Sequence, residues 1–241
     1  MRKWLAIVCL VALGACNQVV VATPMAPQPV PTRAAPVRPA PTAMPPSARA
    51  RTFISVVDRV MPIAQRECRA RRPGVRCDYA VVVDDRPGLP ANAFQTLAPD
   101  GQPIVGFTLA LIADARNPDE MAFILSHEAA HHIEGHIDRG RVNAATGAVL
   151  AGAIVALGGA DQTTVQRAQN FGAFYGSRRY SQDFELEADA LATRLTRRAG
   201  YDPLRGVEFF FRAPDPGDRF LGSHPPNAAR IATVRRVAAG R

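Results

Sequence analysis

Lysine is almost absent from this sequence of 241 residues: Lys3 is the single example, and every other basic side chain is an arginine. The formal net charge is +8, yet the arginines form no stripe of the kind that follows a nucleic-acid backbone. We therefore expect a solvated basic surface and no nucleic-acid partner, with a dedicated anionic partner as the alternative. The arginine usage itself is typical of a GC-rich genome.

Long apolar runs are also scarce. The run over residues 4–13 follows two basic residues and is too short to cross a membrane as a mature helix, so residues 1–15 are predicted to be a signal peptide. Leu13-Gly14-Ala15-Cys16 resembles the bacterial lipoprotein box, which predicts a lipid on Cys16. An ordinary signal peptide with an incidental cysteine is the alternative. Asn17, at a position where aspartate would retain the protein in the inner membrane, favours the periplasmic face of a Gram-negative outer membrane.

Cysteine is the third scarce residue, with four in the whole chain. Cys9 would leave with the signal peptide and Cys16 would carry the lipid. Cys68 and Cys77 remain as an even pair in an oxidising compartment, so we expect a disulfide that closes this short loop. A free or metal-binding pair is the alternative.

The rest of the chain divides into a linker and one domain. Nine prolines between Pro24 and Pro46 exclude a regular helix, so residues 16–49 are predicted to be a lipidated N-terminus and an extended spacer, or alternatively a proline-rich ligand. Residues 50–241 are long enough for one sizeable domain. Apolar periodicity predicts helices over residues 51–71, 117–140 and 181–199, a final basic helix, and short strands over residues 78–85, 91–97 and 102–107. The small-apolar run over residues 144–160 is predicted to be a buried or lid-forming helix near the site, with membrane contact as the alternative.

Four of the five histidines lie between positions 127 and 136. Asn117 is a suitable N-cap for their helix, and Gly140 is a plausible stop. His127 and His131 are about 40° apart around a helix and can bind one ion, whereas Glu128 lies beside them, where a carboxylate can accept a proton from metal-activated water. This pattern predicts one zinc ion; the alternative is a charged helix face with two hydrogen-bonded histidines.

Catalytic zinc usually has three protein ligands. Glu185 is the best candidate for the third, because Asp189 lies one helical turn later and could hydrogen-bond a ligand histidine. Glu187 is the rival ligand, and an ordinary acidic helix face is a further alternative. His132 and His136 fall about 140° and 180° from His127 on the same helix, so they are expected to be structural or surface residues.

The combined motifs resemble the HtpX and CAAX-prenyl-protease-like family of zinc metalloendopeptidases, and among them the small periplasmic lipoprotein members, which are similar to LoiP and YcaL. The chain departs from the related BepA type, because it is expected to lack the helical repeats of that type, and from HtpX in lacking flanking transmembrane helices. The matching pieces are Asn92-Ala93-Phe94, His127-Glu128-x-x-His131, Glu185-x-x-x-Asp189, Gly200-Tyr201-Asp202-Pro203, and Ser223-His224-Pro225-Pro226 with Arg230 and Ile231.

The resemblance implies a mostly helical α+β fold, a zincin-type metalloprotease domain with a small sheet beside the zinc-binding helix. It implies His127, His131 and Glu185 as ligands and Glu128 as general base, and it places Asp189 and Arg230 behind them. It also implies that the strand with Asn92 and Phe94 lines the cleft, where an extended peptide could pair with a sheet edge. His224 would either stabilise the oxyanion or block the open coordination position, or it could be a loop residue without a role.

These observations predict a lipid-anchored periplasmic zinc endopeptidase that uses metal-activated water to cleave extended or misfolded envelope proteins. The alternative is a non-proteolytic, chaperone-like assembly lipoprotein that uses the cleft only for binding. A third possibility, a zinc hydrolase of small amides, would require a closed pocket.

Overall fold

A computed structural model describes residues 45–179, 181–215, 217 and 224–240. The predicted signal peptide, Cys16 and most of the linker lie outside these residues. The described elements, in chain order, are α1 (Pro46–Arg71), β1 (Ala80–Asp84), β2 (Ala93–Leu97), β3 (Pro103–Thr108), α2 (Leu109–Asp114), α3 (Pro118–Glu134), α4 (His136–Leu157), α5 (Gln162–Arg179), α6 (Ser181–Arg198), α7 (Pro203–Gly206), a 3-10 helix (Val207–Phe211) and α8 (Asn227–Ala238). The predicted mostly helical α+β class with a small sheet is confirmed. Residues 46–49, predicted as the end of the linker, belong to α1.

The sheet has three strands in the order β1-β3-β2. β3 is central and buried; it pairs parallel with β1, with Ala80 opposite Ile104, and antiparallel with β2, with Ala93 opposite Phe107. The Phe94 ring lies over Gly106, where a built Cβ would approach it to 2.2 Å, so this close contact requires glycine. Because β2 is last in the strand order and pairs with β3 alone, it is an edge strand of the described sheet.

The main core lies where α1 and α6 pack against α3. Val56, Val60, Leu125 and Leu195 are fully buried there, and apolar burial of this kind stabilises the domain. Cys68 and Cys77, at the end of α1 and just beyond it, form a disulfide with a Cα–Cα distance of 5.8 Å. A smaller cluster packs α8 and the 3-10 helix against Phe123 of α3. Helix α3 thus contacts most of the fold.

Helix α3 begins as predicted but ends earlier. The Asn117 side chain accepts a hydrogen bond from the Glu120 amide at 3.0 Å, and Pro118 opens the first turn. The predicted stop at Gly140 is wrong, because Gly135 adopts φ 72° and caps the helix after Glu134. The chain changes direction at Gly135, so α4 starts at His136 on a new axis.

Helices α4 and α5 form a hairpin that makes most of its contacts within itself. Gly147 and Gly172 allow the two backbones to touch, since a Cβ on either would meet a carbonyl oxygen at 2.0–2.1 Å. Residues 144–157 are helical as predicted, but the burial expected for them is wrong, because only His136 and Gly152 of α4 are buried; the lid-forming alternative stays a prediction. Among the described helices, α4 is the one long and apolar enough to cross a membrane by length and composition, with a mean hydropathy of 1.4.

Candidate metal centre

Three side chains from α3 and α6 converge on one point. His127 and His131 stand one turn apart on α3, and their Nε2 atoms are 3.0 Å from each other. Glu185 on the facing α6 places Oε2 3.4 Å from His127 Nε2 and Oε1 3.3 Å from His131 Nε2. His127 and Glu185 are buried and His131 is half-buried. These are the three residues expected to be ligands, and the structure brings them together.

The donor atoms lie close enough together to bind one ion. Zinc lies about 2.0–2.1 Å from imidazole nitrogen or carboxylate oxygen, so its ligand atoms are roughly 3.3 Å apart. The two Nε2 atoms are 3.0 Å apart, and each lies within 3.4 Å of one oxygen of Glu185, so a single zinc ion could be held between the two imidazoles and the carboxylate. In addition, Oε2 of Glu185 is buried and forms no hydrogen bond within the described part of the chain. A cation would satisfy this otherwise costly oxygen.

Asp189 and Arg230 hold the other side of His127. Asp189 is fully buried and accepts two hydrogen bonds from Arg230, at 2.7 and 2.8 Å, while its Oδ1 lies 2.9 Å from His127 Nδ1. Burial alone would raise the pKa of Asp189, but the charge and hydrogen bonds of Arg230 lower it. Burial and Arg230 lower the pKa of His127, but the nearby carboxylates of Asp189 and Glu185 outweigh them and raise it to about 9. Ionised Asp189 therefore fixes the tautomer of His127.

His136 contacts the second ligand histidine, contrary to expectation. Its Nδ1 lies 2.9 Å from Nδ1 of His131, its Nε2 lies 3.1 Å from Oε2 of Glu187, and it is buried. The prediction of a structural or surface residue opposite the site assumed one continuous helix, but the break at Gly135 returns His136 to the site. Burial, followed by the charge of His131, lowers the pKa of His136 to about 4. Gly135, four residues after His131, is the sequence signal for this helix break, and it could have indicated the true position of His136.

Glu187, the rival ligand, does not join the three donors. The Glu187 carboxylate contacts His136 and Arg139, and its Oε2 lies 2.5 Å from Nη1 of Arg139. His132 also lies apart, with its Nε2 2.7 Å from the carbonyl oxygen of Arg76. Its expected structural role agrees with this buried contact.

The three donors open into a cavity of about 420 Å³. Glu128, which follows His127 on α3, lines it and is half-buried. Asn92 and Gln95 line it from β2 and the residues just before it, whereas Phe94, expected in the cleft, lies on Gly106 and is not among the lining residues. His224 also lines the cavity, with its side chain 53% exposed and its Nε2 3.9 Å from Oε2 of Glu185. Glu128, the three candidate metal donors and the β2 end thus share one cavity.

Comparison with known proteins decides the family. The profile of peptidase family M48 matches residues 47–238, which is most of the chain. The chain belongs to peptidase family M48. It is also similar to a protein of Vibrio cholerae serotype O1 that carries the name beta-barrel assembly-enhancing protease, with 29% identity over 123 residues. That match covers 48% of this chain and spans about a quarter (25%) of the relative's length.

Membership of family M48 implies a metallopeptidase, a hydrolase of peptide bonds, and it confirms the resemblance seen in the motifs. The family members use zinc, and the cluster of His127, His131 and Glu185 is able to hold such an ion.

Proposed function

We propose that this M48 protein is a lipid-anchored zinc metalloendopeptidase on the periplasmic face of the outer membrane, where it cleaves extended or misfolded envelope proteins. One observation carries the proposal: the clustered side chains of His127, His131 and Glu185 share a cavity with Glu128 and with an edge strand. The donor set of two histidines and one carboxylate is typical of catalytic zinc with an open coordination position.

Zinc, when bound by the three donors, supplies Lewis-acid chemistry that lowers the pKa of a water molecule and polarises a carbonyl group. Glu128 accepts the proton of the attacking water and delivers it to the leaving amine, as a general base and then a general acid. Arg230 is buried with its guanidinium 3.6 Å from Glu185 Oε2, so it keeps positive charge beside the donors. Asp189 balances that charge through two hydrogen bonds.

The edge strand supports an extended polypeptide as the substrate. Within the described sheet β2 pairs with β3 alone, and the cavity is lined by Ala91, Asn92, Ala93 and Gln95 at the β2 end. A strand edge offers backbone donors and acceptors to a chain that is itself unfolded or extended. Folded proteins would present no such backbone. The Vibrio relative named for β-barrel assembly supports envelope proteins as the source of this substrate.

Two features support attachment to a membrane. The lipoprotein box ending in Cys16 would place a lipid before the linker, and α4 exposes large apolar side chains on the face away from α5. Val149, Ile154 and Leu157 are 68%, 71% and 90% exposed. One acyl signal gives only reversible membrane binding, so a second apolar contact would strengthen it. Fractionation of cells that express wild type and Cys16→Ser tests the anchor: release of the variant into the soluble fraction is expected, and equal retention would contradict Cys16 as the main anchor and favour α4 in its place.

The activity is tested with the mature chain from residue 16, carrying Cys16→Ser for solubility, one equivalent of zinc and a denatured outer-membrane barrel protein. We expect internal fragments by mass spectrometry from this protein and none from the same chain with Glu128→Gln, which should still bind one zinc ion. A Glu134→Gln control alters a carboxylate on the same helix that pairs with Arg71 outside the cavity, and it should cleave normally. Bound zinc without fragments from this protein and from its His224→Ala variant would contradict a peptidase and favour a binding-only lipoprotein, whereas fragments from the His224→Ala variant alone would indicate a peptidase blocked by His224.

His224 has two opposed roles that one variant separates. Its Nε2 lies at the cavity 3.9 Å from Glu185 Oε2, close enough to reach either a developing oxyanion or the open coordination position. A lower cleavage rate in His224→Ala would assign the oxyanion role, and a higher rate would assign the blocking role. An unchanged rate would contradict both and leave His224 as a loop residue.

A further inference from the structure

In each of the two candidate ligand histidines, the ring nitrogen that faces away from the other donors, Nδ1, contacts a different kind of side chain. Nδ1 of His127 meets Asp189, a carboxylate that fixes a histidine directly. Nδ1 of His131 meets another imidazole, that of His136, at 2.9 Å. His136 in turn meets Glu187 at 3.1 Å. His131 is therefore linked to a carboxylate, that of Glu187, through the intervening imidazole of His136.

The hydrogen-bond inventory leaves one consistent assignment along this chain of side chains. If Nε2 of His131 binds a metal, its lone pair is used there and its proton lies on Nδ1. That N–H donates to His136, whose Nδ1 must then be the unprotonated acceptor. The proton of His136 therefore lies on Nε2 and donates to Oε2 of Glu187, which can only accept. Every donor in the chain has an acceptor.

The surroundings hold His136 in this orientation. Its ring stacks on Phe184, with centroids 4.6 Å apart and planes only 4° from parallel. Arg139 lies over the Phe184 ring at 4.3 Å and binds Glu187 through two nitrogens at 2.5 and 3.2 Å. A half-turn of the imidazole would preserve the stack but lose both hydrogen bonds. The observed orientation satisfies both ring nitrogens of His136.

We propose that His136, oriented by Glu187, is a positioning residue that fixes the tautomer and direction of His131 for metal binding. The inference rests on the proposed metal site at His127, His131 and Glu185. Neither His136 nor Glu187 contacts the other two donors, so both act through His131 alone. Groups that orient a metal-binding histidine in this way typically change metal affinity by roughly ten- to hundredfold.

Zinc affinity is the direct test, measured by competition with a chelator on the mature chain. We expect the dissociation constant to rise roughly ten- to hundredfold in His136→Asn and Glu187→Ala. Glu187→Gln retains an oxygen that accepts from His136, so its affinity should stay within about threefold of wild type. Cobalt in place of zinc gives a second readout, since a reoriented His131 changes the visible absorption of bound cobalt.

His132→Asn is the matched control, because His132 is as buried as His136 and lies next to His131 on α3, but contacts the Arg76 carbonyl. It should leave metal affinity and the cobalt spectrum unchanged. Thermal unfolding of the metal-free variants separates loss of fold from loss of positioning. Wild-type affinity in His136→Asn, or equal weakening in His132→Asn, would overturn the inference. A wild type that binds no zinc would instead overturn the proposed metal site itself.

Discussion

Asp189 is the most constrained side chain of the candidate site. It is fully buried, it binds the Arg230 guanidinium through both oxygens, and it contacts Nδ1 of His127. A buried ion pair is costly to break, because one charge is left without a partner in a poorly solvated place. The same residue therefore affects both stability and metal binding.

We expect Asp189→Asn to reduce the free energy of unfolding by about 3–5 kcal/mol and to weaken zinc binding. Asp138→Asn is the control, since Asp138 pairs with Arg72 at the surface with its side chain 56% exposed and should cost no more than about 1 kcal/mol. Urea unfolding and chelator competition measure the two effects. If Asp189→Asn lowers the free energy of unfolding by no more than Asp138→Asn does, the buried ion pair of Asp189 and Arg230 does not stabilise the fold as described.

Zinc affinity should depend on pH through His127, whose pKa is raised from 6.5 to about 9. Below pH 9 the metal must displace a proton from this imidazole, so zinc affinity should rise by up to about tenfold per pH unit between pH 6.5 and 9.

The stability of the metal-free protein should change in the opposite sense: the raised pKa of His127 stabilises the folded state fully below pH 6.5, and this contribution is lost as pH rises through 9. Chelator competition and thermal melts across this range measure both, and a flat affinity would contradict the raised pKa.

Among the elements, the end of α3 decides the shape of the site. Gly135 has φ 72°, and a Cβ there would meet the Arg72 guanidinium at 3.0 Å. Arg72 itself donates to the carbonyl oxygen of His132 in the last turn of α3. Arg72, at the end of α1, thus stabilises the break between α3 and α4, and this break allows His136 to contact His131.

Gly135→Ala should cost about 1–2 kcal/mol, because a residue with a Cβ is strained at positive φ, and it should also weaken zinc binding by displacing His136. Gly101→Ala is the matched control: Gly101 has φ 82° and no heavy atom within 4 Å of a built Cβ. We expect the control to lose similar stability without any change in zinc affinity. Equal zinc affinities for the two variants would show that the break does not serve the site.

Periodicity and motifs predicted the elements that carry the ligands. The capping residues at Asn117 and Pro118 fixed the start of α3, and the acidic spacing on α6 favoured Glu185 over Glu187. His136 could not be found in this way, because a helical wheel assumes an unbroken axis. Helix α5 gives no clear signal in the sequence either, since its side chains are mostly polar and its contact with α4 depends on small residues such as Gly172. A tertiary contact through glycine leaves no apolar period to detect.

For the whole molecule, the disulfide joins the end of α1 to the segment that leads into the sheet. Cys68 and Cys77 are both buried in the main core, and the loop between them contacts α3 through Arg72 and Arg76. Replacing both cysteines by serine should lower the free energy of unfolding by about 2–3 kcal/mol, mainly because the unfolded chain gains entropy. Urea unfolding measures it, and wild type in reducing buffer should match the variant. Equal stability of oxidised and reduced wild type would contradict this role.

The candidate site draws on Asn92, His127, Glu185 and Arg230, so it spans most of the folded chain. Arg230 is the last of these to leave the ribosome, and until α8 docks, Asp189 has no guanidinium partner and His127 lacks its complete support. A chain whose last helix has not yet docked therefore lacks a complete candidate site. The proposed peptidase activity would begin only after the whole domain is synthesised and folded, which would limit self-digestion of the growing polypeptide.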